Sequence, residues 1–179
     1  LAMSDQGMRN FENINIAKVW RRFAEIRSRF IWTDHVPVLD VQMSETMNHV
    51  LPRDAAKLRY KKVSQGHCWG KPWSTAWIRL RFDVPAAFKG ETVALIFSTG
   101  GECIIFRDGE PVQALDKWRN DYVLFDKAEG GEKVELCIEA GANEPWGRFQ
   151  QRVMHQPRLA VFNKAVWEAY WDISALHDM

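Results

Sequence analysis

Period-two alternation is the feature that most restricts how this chain can fold. From Trp77 to Val84, the residues Ile78, Leu80, Phe82 and Val84 alternate with Trp77, Arg79, Arg81 and Asp83, the pattern of an antiparallel strand with one buried face. Val134, Leu136, Ile138 and Ala140 repeat it against Lys133, Glu135, Cys137 and Glu139. Between these segments lie a short apolar run, Val93 to Ser98, bounded by Gly90 and Gly100-Gly101, and a hairpin signal, Cys103 to Arg107, then Asp108-Gly109, then Pro111 to Leu115. Short strands at this spacing, separated by glycine turns, predict a β-sandwich. The inward set is expected to include Ile78, Leu80, Phe82, Val93, Leu95, Phe97, Val134, Leu136 and Ile138. No internal repeat is present, which argues against a propeller or solenoid.

Helical periodicity flanks this β region. Ile16, Val19, Phe23, Ile26 and Phe30 form one apolar stripe, with Asn13 or Asn15 as the capping residue and Lys18, Arg21, Arg22, Arg27 and Arg29 on the solvated faces. Thr33 to Val63 carries little periodicity, and Val36-Pro37 and Leu51-Pro52 interrupt it, so it is read as a connector with one short helix near Asp54 to Tyr60. Leu159, Phe162, Val166, Ala169, Ile173 and Leu176 predict a closing helix. The expected organisation is a helical lead-in and connector over 1–63, a sandwich over 64–157 and a helical linker over 158–179. That last helix has no stop signal, and Leu1-Ala2-Met3 looks like an expression remnant, so both ends suggest a piece cut from a longer protein.

A chain of 179 residues buries roughly 68–70% of its unfolded surface, so no disulfide or metal framework is required. Three cysteines, Cys68, Cys103 and Cys137, none in C-x-x-C spacing, point to a reducing, cytoplasmic setting with idle thiols. The first fifteen residues hold no apolar signal-peptide core, and no apolar run reaches the length of a membrane span. With 24 basic against 23 acidic residues the electrostatic footprint of a nucleic-acid binder is missing, and neither a nucleic-acid nor a membrane partner is expected.

Few residues offer chemistry. His35, His49, His67, His155 and His177 are scattered without metal-ligand spacing, and no nucleophile-elbow, P-loop or dinucleotide motif occurs. Glu102, Asp108, Glu110 and Asp116 crowd one hairpin, but Asp108 is accounted for by its turn and Glu110 by solvation, so no catalytic residue and no metal ligand is assigned. Tryptophan is the unusual count, with nine against three tyrosines, and it turns attention to flat apolar contacts. In the loop Trp69-Gly70-Lys71-Pro72-Trp73-Ser74-Thr75-Ala76-Trp77, Trp69 and Trp73 are the carbohydrate-contact candidates, set against closure of one end of the sandwich or burial against a neighbouring domain. Trp167 and Trp171, four residues apart beside the main stripe of the last helix, are the candidate interdomain or subunit interface.

Taken in order, several segments resemble one known family. They are Arg27-Ser28-Arg29-Phe30-Ile31-Trp32, the loop from Trp69 to Trp77, Ser98-Thr99-Gly100-Gly101-Glu102, Arg107 to Asp116, Ile138 to Asn143 before Trp146-Gly147, and Glu168-Ala169-Tyr170-Trp171-Asp172-Ile173. The set is similar to the N-terminal region of glycoside hydrolase family 38 α-mannosidases of the cytosolic, vacuolar and bacterial branch, from about Phe11 onward. The resemblance implies a jelly-roll sandwich of the galactose-binding type flanked by helices and placed before a catalytic domain. It implies retaining hydrolysis of terminal α-mannosides by the full-length enzyme, with an aspartate nucleophile and a zinc ion held outside this chain. The expected partners are the enzyme's own catalytic domain and further copies in a homo-oligomer, with scaffolding, assembly and shaping of the active-site mouth as the domain's work. The alternative is an autonomous carbohydrate-binding module with a tryptophan platform.

Overall fold

The computed structural model describes residues 5–142 and 150–178, with side chains for 17–142 and 150–176. In chain order the elements are α1 (Asp5–Arg29), β1 (Trp32–Pro37), β2 (Asp40–Thr46), a 3-10 helix (Pro52–Lys57), β3 (Lys61–Lys62), β4 (Cys68–Trp69) and β5 (Thr75–Asp83). There follow a 3-10 helix (Ala86–Phe88), β6 (Val93–Ile96), β7 (Cys103–Arg107), β8 (Glu110–Leu115), β9 (Asp121–Phe125), β10 (Lys133–Gly141), β11 (Arg152–Val153), β12 (Arg158–Phe162) and α2 (Lys164–Asp178). Asp34–Val161 forms one compact unit, and the segments up to Thr33 and from Phe162 form another. Among the described residues, no helix is long and apolar enough to cross a membrane.

The larger unit is mainly β. A six-stranded sheet runs β3-β2-β5-β10-β7-β8 and a four-stranded sheet runs β1-β12-β6-β9, with β4 and β11 as a separate two-stranded pair. The central pair sets Leu80 opposite Leu136 and Ile78 opposite Ile138. A period of two then sends Ile78, Leu80 and Phe82 of one strand and Val134, Leu136 and Ile138 of the other to the same face. Ile78, Leu80, Leu136, Ile138, Val93, Leu95 and Phe97 are buried as the alternation predicts, Val134 lies beside them, and Phe82 is half-buried against the same cluster. Asp108 (φ 54°) and Gly109 (φ 86°) make the turn between β7 and β8, the left-handed pair that a two-residue hairpin requires.

The sheets reach further than the alternation indicates. Asp40–Thr46, read above as connector, is an internal strand of the six-stranded sheet, with Val41 and Met43 buried and paired against Leu80 and Ile78. Its polar positions, Gln42 and Ser44, alternate correctly, but seven residues with two aliphatic anchors are a weak signal. Arg158–Phe162, read above as the start of the closing helix, is instead a strand against β6, with Leu159 opposite Leu95. The helix begins after Asn163, whose Oδ1 accepts the Val166 amide at 3.1 Å as an N-cap. The strand's apolar residues had merely fallen into helical spacing with those beyond the cap. At the other end α1 starts by Asp5, so Asn13 and Asn15 lie within the helix and not at its N-terminus.

One solvent-side expectation also fails. Trp77 is fully buried, on the face opposite the main core, where the Phe106 ring lies tilted against it at 6.0 Å and Ala55 of the first 3-10 helix packs beside it. Beside them the Arg79 guanidinium lies 4.1 Å over the Tyr60 ring.

Candidate functional site

The chain's loop-rich rim follows from strand direction. Gly141 at the end of β10 pairs with Thr75 at the start of β5, Ala140 with Cys103 at the start of β7, and Cys103 with Leu115 at the end of β8. Loops 70–74, 98–102 and 116–120 therefore leave from the same end of the six-stranded sheet.

The first of these loops is fixed from below. Glu45, at the end of β2, accepts on Oε1 from the Gly70 amide at 3.0 Å, the Lys71 amide at 2.7 Å and the Ser74 hydroxyl at 2.6 Å. Burial pushes this carboxyl's pKa up, but the bonds from Ser74, Lys71 and Gly70 and the Lys71 charge outweigh that and leave it below its ordinary value. The Trp69 indole donates to the Thr99 carbonyl at 2.8 Å and ties loop 70–74 to loop 98–102. Beneath both runs Arg152, only 9% exposed, which donates to the carbonyls of Gly100 at 3.3 Å and Ala142 at 3.4 Å. Close approach is what the glycines permit. A Cβ on Gly70 would sit 3.1 Å from Arg152 Cγ, and one on Gly100 would sit 2.7 Å from the Val153 carbonyl oxygen.

Two indoles project from this rim. Trp73 is 73% exposed and holds φ at 65°, a left-handed conformation uncommon for a bulky residue. Trp118 is 76% exposed. Its loop is closed by the Asp116 amide donating to the Arg119 carbonyl at 2.8 Å and by Asp116 Oδ1 accepting from the Trp118 and Arg119 amides at 2.6 and 2.7 Å. The amides of Arg119 and Trp118 hold the Asp116 carboxyl below its ordinary pKa. Lys117 Nζ lies 5.0 Å from the Trp118 ring centroid.

The two carbohydrate-contact candidates thus separate. Trp69 is 3% exposed, with its ring in the core and its N–H bonded to the Thr99 carbonyl, whereas Trp73 faces solvent. The carboxylates of the β7–β8 hairpin separate as well. Asp108 and Glu110 lie at the turn and Glu102 and Asp116 at the rim, about 20 Å away along β8 at a strand's rise per residue.

Among the described residues, no three His, Cys, Asp or Glu side chains converge as metal ligands, so these residues do not fit a zinc ion. Cys68 is exposed, while burial pushes the Cys103 thiol up to about 11 and raises that of Cys137. Glu45, Arg152 and Trp118 were not singled out by sequence. For Trp118 the Asp116-Lys117-Trp118-Arg119 run between two strands was the available signal. Glu45 and Arg152 join the rim only through long-range contacts.

In the smaller unit, Trp167 (39% exposed) and Trp171 (48%) meet edge to face at 6.3 Å, and Trp167 also meets Phe162 at 6.1 Å. A groove of about 460 Å³ between α1 and α2 is lined by Phe23, Ile26, Phe30, Val166, Ala169 and Ile173 among others.

Comparison with known proteins bears on all of this. A family model described as "Alpha-mannosidase, jelly roll domain" matches residues 36–171. The chain is 26% identical to α-mannosidase G of Dictyostelium discoideum over 155 residues, 78% of this chain and 14% of that protein. It is 29% identical to α-mannosidase 2C1 of Homo sapiens over 141 residues, 69% of this chain and 13% of that protein. It therefore spans only a small part of the length of these relatives. Among solved structures, a Ruminococcus gnavus β-glucuronidase in complex with D-glucuronic acid aligns with TM-score 0.51 at 8% identity, over 75% of this chain and 30% of that one. A β-glucuronidase from an uncultured Clostridium sp. aligns with TM-score 0.50 at 12% identity, over 73% and 29%. At such identities the likeness is one of fold.

Proposed function

This chain belongs to the α-mannosidase jelly roll domain family, and we propose that it serves as a non-catalytic domain of a zinc-dependent retaining α-mannosidase acting on terminal α-mannosides. Its work in this reading is scaffolding, assembly and shaping the mouth of the active site. The aspartate nucleophile and the zinc ion belong to the catalytic domain, the full-length enzyme is a homo-oligomer, and its setting is cytoplasmic.

The observation that carries the reading is the internal use made of the rim's most distinctive loop. Glu45 takes three of its donors and the Trp69 indole is bonded inward, so the loop is built to hold a shape. An autonomous carbohydrate module with Trp69 and Trp73 as its platform is the less favoured reading, since one of its two rings is buried. Trp167 and Trp171, half-exposed on α2, are the side chains assigned to contact with the catalytic domain.

The test has two arms. With 4-nitrophenyl α-mannopyranoside the chain alone is expected to give no turnover, and turnover that survives rigorous purification overturns the reading. Replacing Trp167 and Trp171 by Ser is expected to weaken assembly of the full-length enzyme much more than it lowers the melting temperature of this chain. A large loss of the chain's own stability with assembly untouched removes the interface assignment.

A further inference from the structure

Of the described tryptophans, Trp73 and Trp118 are the most exposed, and both stand on the same rim although they are far apart in sequence. Their loops are rooted on β5 and β8, with β10 and β7 between them. Three steps across a sheet put those roots about 14 Å apart. Each ring is presented by a stiff support. Trp73 belongs to the loop that Glu45 holds by three hydrogen bonds, and Trp118 to a turn closed on Asp116. Loop 98–102 lies at the root of β7 between them, with Gly100 and Gly101 packed close on Val153 and Arg152 and the exposed Glu102 at its end.

We propose that this rim is a glycan-contact surface, with Trp73 and Trp118 flanking Gly100-Gly101 and stacking on separate sugar residues of an α-mannoside oligosaccharide. The choice of mannoside rests on the α-mannosidase reading above. The C–H face of a hexose is apolar with partial positive charge on its hydrogens, which suits the negative face of an indole, while its hydroxyls radiate outward and need polar partners. Two rings separated by a loop, with polar side chains exposed around them, offer that combination. Lys71, Glu102 and Arg119, all exposed at the rim, supply charged hydrogen-bonding groups. A protein partner would instead require a contiguous apolar cluster that can be fully desolvated, and an intervening loop divides these rings. With Lys117 over the Trp118 ring, the opposite face of that indole is the one that stacks. The separation of the roots suits several sugar residues better than one.

Titration calorimetry of this chain with α-1,3/α-1,6-mannotriose tests the proposal, with methyl α-mannopyranoside as the single-sugar comparison and thermal melting as the check on folding. Saturable binding is expected, tighter for the trisaccharide. Trp118→Ala and Trp73→Asn, the latter tolerant of the left-handed backbone, should each weaken it by about five-fold or more. Trp171→Ala should leave it unchanged. Absence of saturation, or affinity indifferent to both rim substitutions in folded protein, overturns the proposal. So does loss of full-length assembly in Trp118→Ala without saccharide binding, which would assign the rim to protein docking. Failure of mannotriose to bind while the full-length enzyme still cleaves 4-nitrophenyl α-mannopyranoside removes the rim proposal alone. Binding with no such cleavage by that enzyme removes the mannosidase reading instead.

Discussion

Glu45 joins two parts of the chain that local sequence does not connect, the end of β2 and the loop before β5. Its folded pKa lies below the ordinary carboxylate value of 4.5, with burial opposing and the Ser74, Lys71 and Gly70 donors prevailing. A depressed acid contributes stability above its unfolded pKa and loses that contribution as pH falls through the folded value. Because the side chain is partly open to water, Glu45→Gln is expected to cost only about 1 kcal/mol at pH 7. The gap from the wild type should narrow as the pH is lowered from 7 toward 3 and Glu45 takes up a proton. Urea unfolding at the two pH values measures this, and an equal gap at both would show that the carboxylate's charge plays no part. Trp69 makes a related point, since the same residue type in the same loop as Trp73 is buried with its N–H bonded to the Thr99 carbonyl.

Two glycines separate backbone conformation from close packing at the level of the element. Gly109, at φ 86° in the β7–β8 turn, has open space where a Cβ would stand, so Gly109→Ala should cost about 1–2 kcal/mol from the left-handed backbone alone. Gly100 has the same φ of 86° but would place its Cβ 2.7 Å from the Val153 carbonyl oxygen. Gly100→Ala should therefore cost about 2–5 kcal/mol, because overpacking against β11 adds to the backbone penalty. Chemical denaturation of both variants checks the order, and equal losses would mean that β11 moves aside freely. The β7–β8 hairpin was legible because Asp108-Gly109 is a local turn signal. The strand β2 was not, since Val41 and Met43 become strand residues only by pairing with Leu80 and Ile78.

For the whole molecule, β5 and β10 are internal strands paired on both sides, whereas β3 and β8 are the edges of the same sheet. Amides open to solvent most rarely where both neighbours and both faces must separate. Native-state hydrogen exchange is thus expected to be slowest at Ile78, Leu80, Leu136 and Ile138, all of them fully buried. Slowest exchange in β8 or β9 would mean that a different part of the sandwich unfolds last. A family match over residues 36–171 spans the same sandwich.

By itself the sequence determined a β-sandwich with helical flanks, the inward-facing residues of two of its strands and the position of its tightest hairpin. Those features rest on the alternation of Ile78 to Val84 and Val134 to Ala140 and on one turn dipeptide, all of them local periodicities that elementary sterics enforces. Tertiary structure decided what lies inside and what lies on the rim. Trp77 appears on the polar side of its strand until Phe106 and Ala55 pack beside it, and Arg152 acquires its place under the loops from carbonyls at Gly100 and Ala142. Burial of such residues depends on partners brought together by strand order, and strand order is a long-range property that no window of sequence contains.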